Sequence, residues 1–195
     1  MASTDEKKDG YRSGLKFFFD IKNGRREVGR GLNEGMTELL VSRTLNQYHS
    51  TSYPFEFNCA RVLDAIFERK LTEAYFTGKR VDCPKEFHIV VACLDKYTAG
   101  FKVTETNTFT LSDEAVQQVM KMQNLIFDMF ENWDKKDIVK LNELEKILLN
   151  NYHLTIENLD AWRKTVLELV DSNELDRFSK RIKSLKRKLE KSGKE

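Results

Sequence analysis

The stretch Gly29–Leu40, GRGLNEGMTELL, decides how this chain is read. Met36, Leu39 and Leu40 fall at helical spacing, and Leu45 continues the stripe, so a helix is predicted over Asn33–Tyr48. Asn33 is a good N-cap type, and Glu34 directly after it favours the positive end of the helix dipole. Glu38 follows Glu34 by four residues, which puts both carboxylates on one helix face. Like charges one turn apart repel by about 0.2–0.5 kcal/mol on an exposed helix. A cation or a buried hydrogen-bond network would relieve that repulsion, and the motif alone leaves both open. Gly29, Gly31 and Gly35 faintly imitate a dinucleotide fingerprint, but the strand–helix–strand context is missing.

Upstream, the apolar run Leu15–Ile21, then Asn23-Gly24 and a short second arm predict a β-hairpin. A two-stranded ribbon is not stable alone and must lie on the helices that follow. Downstream, Pro54 opens a second helix with Phe55, Cys59, Val62, Leu63, Ile66 and Phe67 on its apolar face. A short helix over Leu71–Phe76 stops at Gly78. Another runs from Pro84 through Phe87, Val90, Val91 and Leu94 to a stop at Gly100. KVTETNTFTLS (102–112) reads as an extended polar connection. Ser112, with Asp113 and Glu114, starts a helix to about Trp133, and Asp134 starts the next, carrying Ile138, Leu141, Leu144, Ile147 and Leu148. Thr155 caps a third, and Asp171 or Ser172 caps the last. The fold class is mainly α, with an N-terminal β-hairpin packed on a helical bundle and long C-terminal helices after it. Residues 1–100, 101–176 and 177–195 form three parts of different character.

Composition narrows the function classes. Of 195 residues, 33 are Lys or Arg and 31 Asp or Glu, and 40% are hydrophobic, which excludes a disordered tail or a uniformly basic nucleic-acid binder. Three cysteines (Cys59, Cys83, Cys93) without CxxC spacing suit reduced, buried thiols in a cytoplasmic protein. No apolar run approaches the roughly 18 residues of a membrane span, and MASTDEKKDG is no secretory signal. Phosphate loops, GxSxG elbows and Cys–His catalytic signatures are absent from the sequence. His88, before Ile89-Val90-Val91, reads as a core histidine, and His153 with Glu157 as part of a helix cap.

GRGLNEGMTELLVSRTL, followed by YPFE and LTEAYFTG, resembles a bacterial family of gluzincin-like zinc metallopeptidase domains of poorly known function, over about residues 1–100. In such sites an HExxH helix supplies two histidine ligands and a general base, and the Glu of N-E-[GA] on a later helix is the third ligand. The resemblance implies a gluzincin C-terminal-lobe-like bundle, with Glu34 on the metal and Glu38 orienting a ligand imidazole. The pattern is incomplete here, because His49, His88 and His153 all lie outside any HExxH. The family's HExxH helix would end just before Met1. The expectation is a chain without catalytic residues and without a cofactor of its own, zinc entering only where an HExxH segment is supplied elsewhere. Three readings follow. One is a non-catalytic metallopeptidase-like module that binds a protein partner, or a second copy, in the groove left by the missing helix. Another is a fragment of a zinc-dependent peptidase whose HExxH lies upstream of Met1. The third is an unrelated helical inhibitor or regulator that binds RNA or a ribonucleoprotein.

The third reading rests on residues 177–195, RFSKRIKSLKRKLEKSGKE, with nine Lys or Arg against two Glu. Phe178, Ile182, Leu185 and Leu189 form an apolar stripe that predicts a docked terminal helix. Arg177, Lys180, Arg181, Lys183, Lys186, Arg187 and Lys188 then form a basic face, solvated or in contact with nucleic acid, an acidic protein or a membrane surface.

Overall fold

The structure is a computed structural model and describes residues 2–4, 10–21, 24–46, 52–103, 109–150 and 172–192. The chain opens as an antiparallel meander of four strands in sequence order, β1 (Ala2–Thr4), β2 (Gly10–Ser13), β3 (Lys16–Ile21) and β4 (Gly24–Val28). The predicted hairpin is β3–β4, and two further strands precede it. Ile21 pairs with Gly24, so Gly24 already belongs to β4, and the turn itself lies outside the described residues. β2 and β3 meet through Gly14-Leu15, where Ser13 pairs with Lys16. Gly14 is held at φ +59°, and a Cβ there would stand 2.3 Å from Asn33 Oδ1. Only glycine fits this turn against the first helix.

Six helices follow as far as residue 150. α1 (Arg30–Leu45), α2 (Pro54–Ile66), α3 (Lys70–Thr77) and α4 (Lys85–Gly100) precede a small hairpin, β5 (Phe101–Val103) with β6 (Phe109–Leu111). α5 (Asp113–Glu131) and α6 (Ile138–Asn150) come next, and the terminal helix, here α7, spans Ser172–Ser192. Pro54 sits in the first turn of α2, where its missing N–H costs nothing, and Gly78 caps α3 in the left-handed conformation. The extended segment predicted after Gly100 is the β5–β6 hairpin, whose antiparallel pairing turns the chain from α4 back into α5. α6 starts at Ile138 rather than Asp134. Asp137, not Asp134, caps it, its Oδ1 accepting the Lys140 N–H at 2.8 Å. The helix expected after Thr155, with His153 and Glu157, lies outside the described residues.

One continuous core joins the seven described helices. Leu32, Met36 and Leu39 of α1 meet Phe55 and Leu63 of α2, Leu71 of α3 and Val90 and Leu94 of α4. Met122, Ile126 and Phe127 of α5, Leu141 of α6, and Phe178, Ile182 and Leu185 of α7 complete it. The core therefore draws side chains from both sides of residues 101–110. Cys59 and Cys93 are buried, Cys83 is half-buried, and all three are free thiols. Among the described residues no helix is long and apolar enough to cross a membrane.

Candidate functional site

α1 begins three residues earlier than its local sequence suggests. Gly29, at φ +84°, is its N-cap, and Asn33 lies buried inside the helix. The capping comes from far along the chain, because the Asp95 carboxylate on α4 accepts the N–H groups of Gly29 at 2.7 Å and Gly31 at 2.9 Å. Burial pushes the Asp95 carboxyl up, against the lowering effect of those two bonds. Asn33 is freed for another task, and its Oδ1 accepts the Leu15 N–H at 2.9 Å, tying the sheet to the helix. Glu34 accordingly sits in the second turn, beyond the reach of the dipole at the first.

Glu34 and Glu38 both remain partly exposed on α1. The Lys16 ammonium lies 3.3 Å from Glu34 Oε1 and 3.7 Å from Glu27 Oε1. A cation is thus present beside the carboxylate, and it is a lysine from β3. Behind this face, Gly35 packs against the first turn of α2 so closely that a Cβ would stand 2.1 Å from the Glu56 carbonyl oxygen. In N-E-G the glycine serves a helix–helix crossing.

That crossing brings a third carboxylate inward. Glu56 is 3% exposed, and its Oε1 lies 2.8 Å from Thr98 Oγ1, which is also 2.9 Å from the Leu94 carbonyl. One hydroxyl proton serves only one of these oxygens. Thr98 therefore donates to the Glu56 carboxyl or to the Leu94 carbonyl, one at a time. Burial raises the Glu56 carboxyl to about 7, Thr98 opposes this, and the negative charges of Glu34 and Glu38 add to it. The neighbouring Tyr97 hydroxyl and Cys59 thiol are pushed up by the same burial and by Glu56. A second buried acid, Asp64, is treated differently. It accepts from Arg43 Nη1 at 2.8 Å, from the Thr72 N–H at 2.9 Å and from the Thr72 hydroxyl at 2.8 Å.

The described residues do not fit a zinc centre. No group of three His, Cys, Asp or Glu side chains among them is arranged to hold a metal ion. His88 is exposed on α4, edge-on to Phe87, and is not the core histidine its apolar neighbours suggested. Those neighbours are split by the helix, Val90 going inside while Ile89 stays 37% exposed. His49 and His153 lie outside the described residues. Lys16, Glu56, Asp64 and Asp95 were not marked by spacing. Glu56 stood in YPFE, in a first helical turn, where an acid ordinarily faces solvent and favours the dipole.

The terminal helix divides its charge. Phe178, Ile182 and Leu185 are buried and Leu189 packs partly against the core, as the stripe predicted. Arg181 is taken up internally, with Nη2 2.6 Å from Asp128 and 3.2 Å from Glu131, and the guanidinium 4.8 Å from the Phe127 ring centroid. Lys186 pairs with Glu145 on α6. Arg177, Lys180, Lys183, Arg187 and Lys188 are exposed, and no ion pair reaches them among the described residues. Compared with protein-family models, curated proteins and solved structures, the chain matches none.

Proposed function

We propose that the chain is a non-catalytic binding module, a metallopeptidase-like helical scaffold that works as a protein-binding or regulatory domain in the cytoplasm. The Lys16–Glu34 ion pair carries this reading. The carboxylate that the resemblance would give to zinc already has a positive partner from its own chain, and no group of three metal-ligating side chains surrounds it among the described residues. The unpaired thiols Cys59, Cys83 and Cys93 support a reducing compartment. Its partner would be another protein or a second copy of the chain.

Calorimetric titration with zinc tests the central claim. The wild-type chain and Glu34→Ala are expected to show the same weak, non-stoichiometric uptake. Tight one-to-one binding that Glu34→Ala abolishes would overturn it. That outcome would favour the peptidase-fragment reading, which the partial exposure of both Glu34 and Glu38 on one helix supports.

A further inference from the structure

The described part of α7 has eight Lys or Arg against three acids, while the whole chain is formally only +2. The charge outside the helix is therefore net negative, and the positive charge is concentrated on one element. Helical geometry arranges it further. At 100° per residue, Arg177, Lys180, Arg187, Lys188 and Lys191 fall within about 100° of arc, opposite Phe178, Ile182, Leu185 and Leu189. Lys183 flanks the arc. From Arg177 to Lys191 the row is about 21 Å long at 1.5 Å per residue. The two basic residues nearest the core, Arg181 and Lys186, are the ones consumed by Asp128, Glu131 and Glu145.

We propose that this outward row is a docking surface for the phosphate backbone of a nucleic-acid duplex. Three observations select that occupant. The apolar stripe of α7 is buried, with Phe178 at 1% and Ile182 at 2% exposure, so the helix has no free face to insert into a lipid interface. The row carries no aromatic side chain, and binding of single strands relies on stacking platforms. It also carries no Asn or Gln, so it is built for charge rather than for reading base edges. What remains is a rigid line of cations, fixed by a docked helix, against a polymer with one negative charge per roughly 1.7 Å of axis. The proposal goes beyond the Glu34 reading and does not depend on the zinc result.

Fluorescence anisotropy with a labelled 20-base-pair RNA or DNA duplex tests it, using the full chain. Binding at 50 mM salt is expected, weakening on the order of 10²-fold by 200 mM if four to five phosphates are neutralised. The variant Arg177→Gln/Lys180→Gln/Arg187→Gln/Lys188→Gln should lose at least tenfold in affinity and flatten the salt slope by about 3 to 4. A control, Lys70→Gln/Arg80→Gln/Lys85→Gln, alters exposed charge elsewhere and should bind like the wild type. An equal loss in the control, no binding at 50 mM salt, or binding to phosphatidylserine vesicles in place of the duplex would each overturn the proposal. Unchanged circular dichroism melting of both variants guards against misfolding as the cause.

Discussion

α1 and α7 are both amphipathic helices rich in charge, and they use it in opposite ways. Around α1 the polar groups are matched from within the chain: Asp95 caps it, Asn33 holds Leu15, Lys16 faces Glu34, and Arg43 reaches Asp64. On α7 the flanks are matched, through Arg181 and Lys186, and no ion pair reaches the outer row among the described residues. A matched charge fixes structure, whereas an unmatched exposed charge costs little in stability and stays available for a partner. The difference makes α1 part of the scaffold, and α7 the contact surface of the proposed duplex binding.

The strongest way to break this contrast is at Gly35. Gly35→Val would drive a branched side chain into the Glu56 backbone, which cannot swing aside as a side-chain end can. A loss of about 4 kcal/mol in denaturant unfolding is expected, at the severe end for one substitution. A loss below about 1 kcal/mol would mean that α1 and α2 do not cross this closely.

Glu56 gives the next largest effect, and it depends on pH. Its folded pKa is raised to about 7 from the ordinary 4.5, so between these values the folded state holds a proton that the unfolded chain has released. Stability is therefore highest below pH 4.5 as far as this group is concerned and falls as pH rises to 7, by about 3 kcal/mol in all. Glu56→Gln should remove most of that decline, which thermal melts at pH 5 and pH 8 would reveal as a smaller difference than in the wild type. A wild-type Glu56 contribution with the opposite slope would contradict a neutral, buried carboxyl.

Arg43→Met tests the matched pair nearby. Asp64 is fully buried, while Arg43 is partly exposed, so water can replace some of what is lost. A destabilisation of about 2 kcal/mol is expected, less than for a fully enclosed pair. The smallest effect belongs to α7: the four-site Gln variant of its outer row should leave unfolding free energy within about 0.5 kcal/mol of the wild type. Loss of duplex binding without loss of stability would sharpen the division between scaffold and surface. A large loss of stability would erase it.

Much of the architecture was legible because it is written in short-range pattern. The apolar faces of α2 and α4, Pro54 at a helix start, Gly78 at a helix stop, and the Phe178–Leu189 stripe needed only helical spacing and turn chemistry. The start of α1 was misplaced for a physical reason. Its cap comes from Asp95, 64 to 66 residues away, and no local signal encodes a distant carboxylate. The candidate site followed the same rule. Glu34 and Glu38 share a helix face by spacing alone, yet the cation beside Glu34 comes from β3, which reaches it only once the sheet has folded onto α1.

The sequence by itself thus determined a helical chain with a β ribbon at its front and a basic amphipathic helix at its end. Tertiary structure decided which of those charges face one another. Periodicity settles which face a residue occupies, because 3.6 residues make a turn wherever the helix lies. Whether a carboxylate there meets a lysine, a threonine or water depends on which other element packs against that face. Packing placed Lys16 beside Glu34, closed Glu56 inside with Thr98, and brought no acid of the described residues to the outer cations of α7.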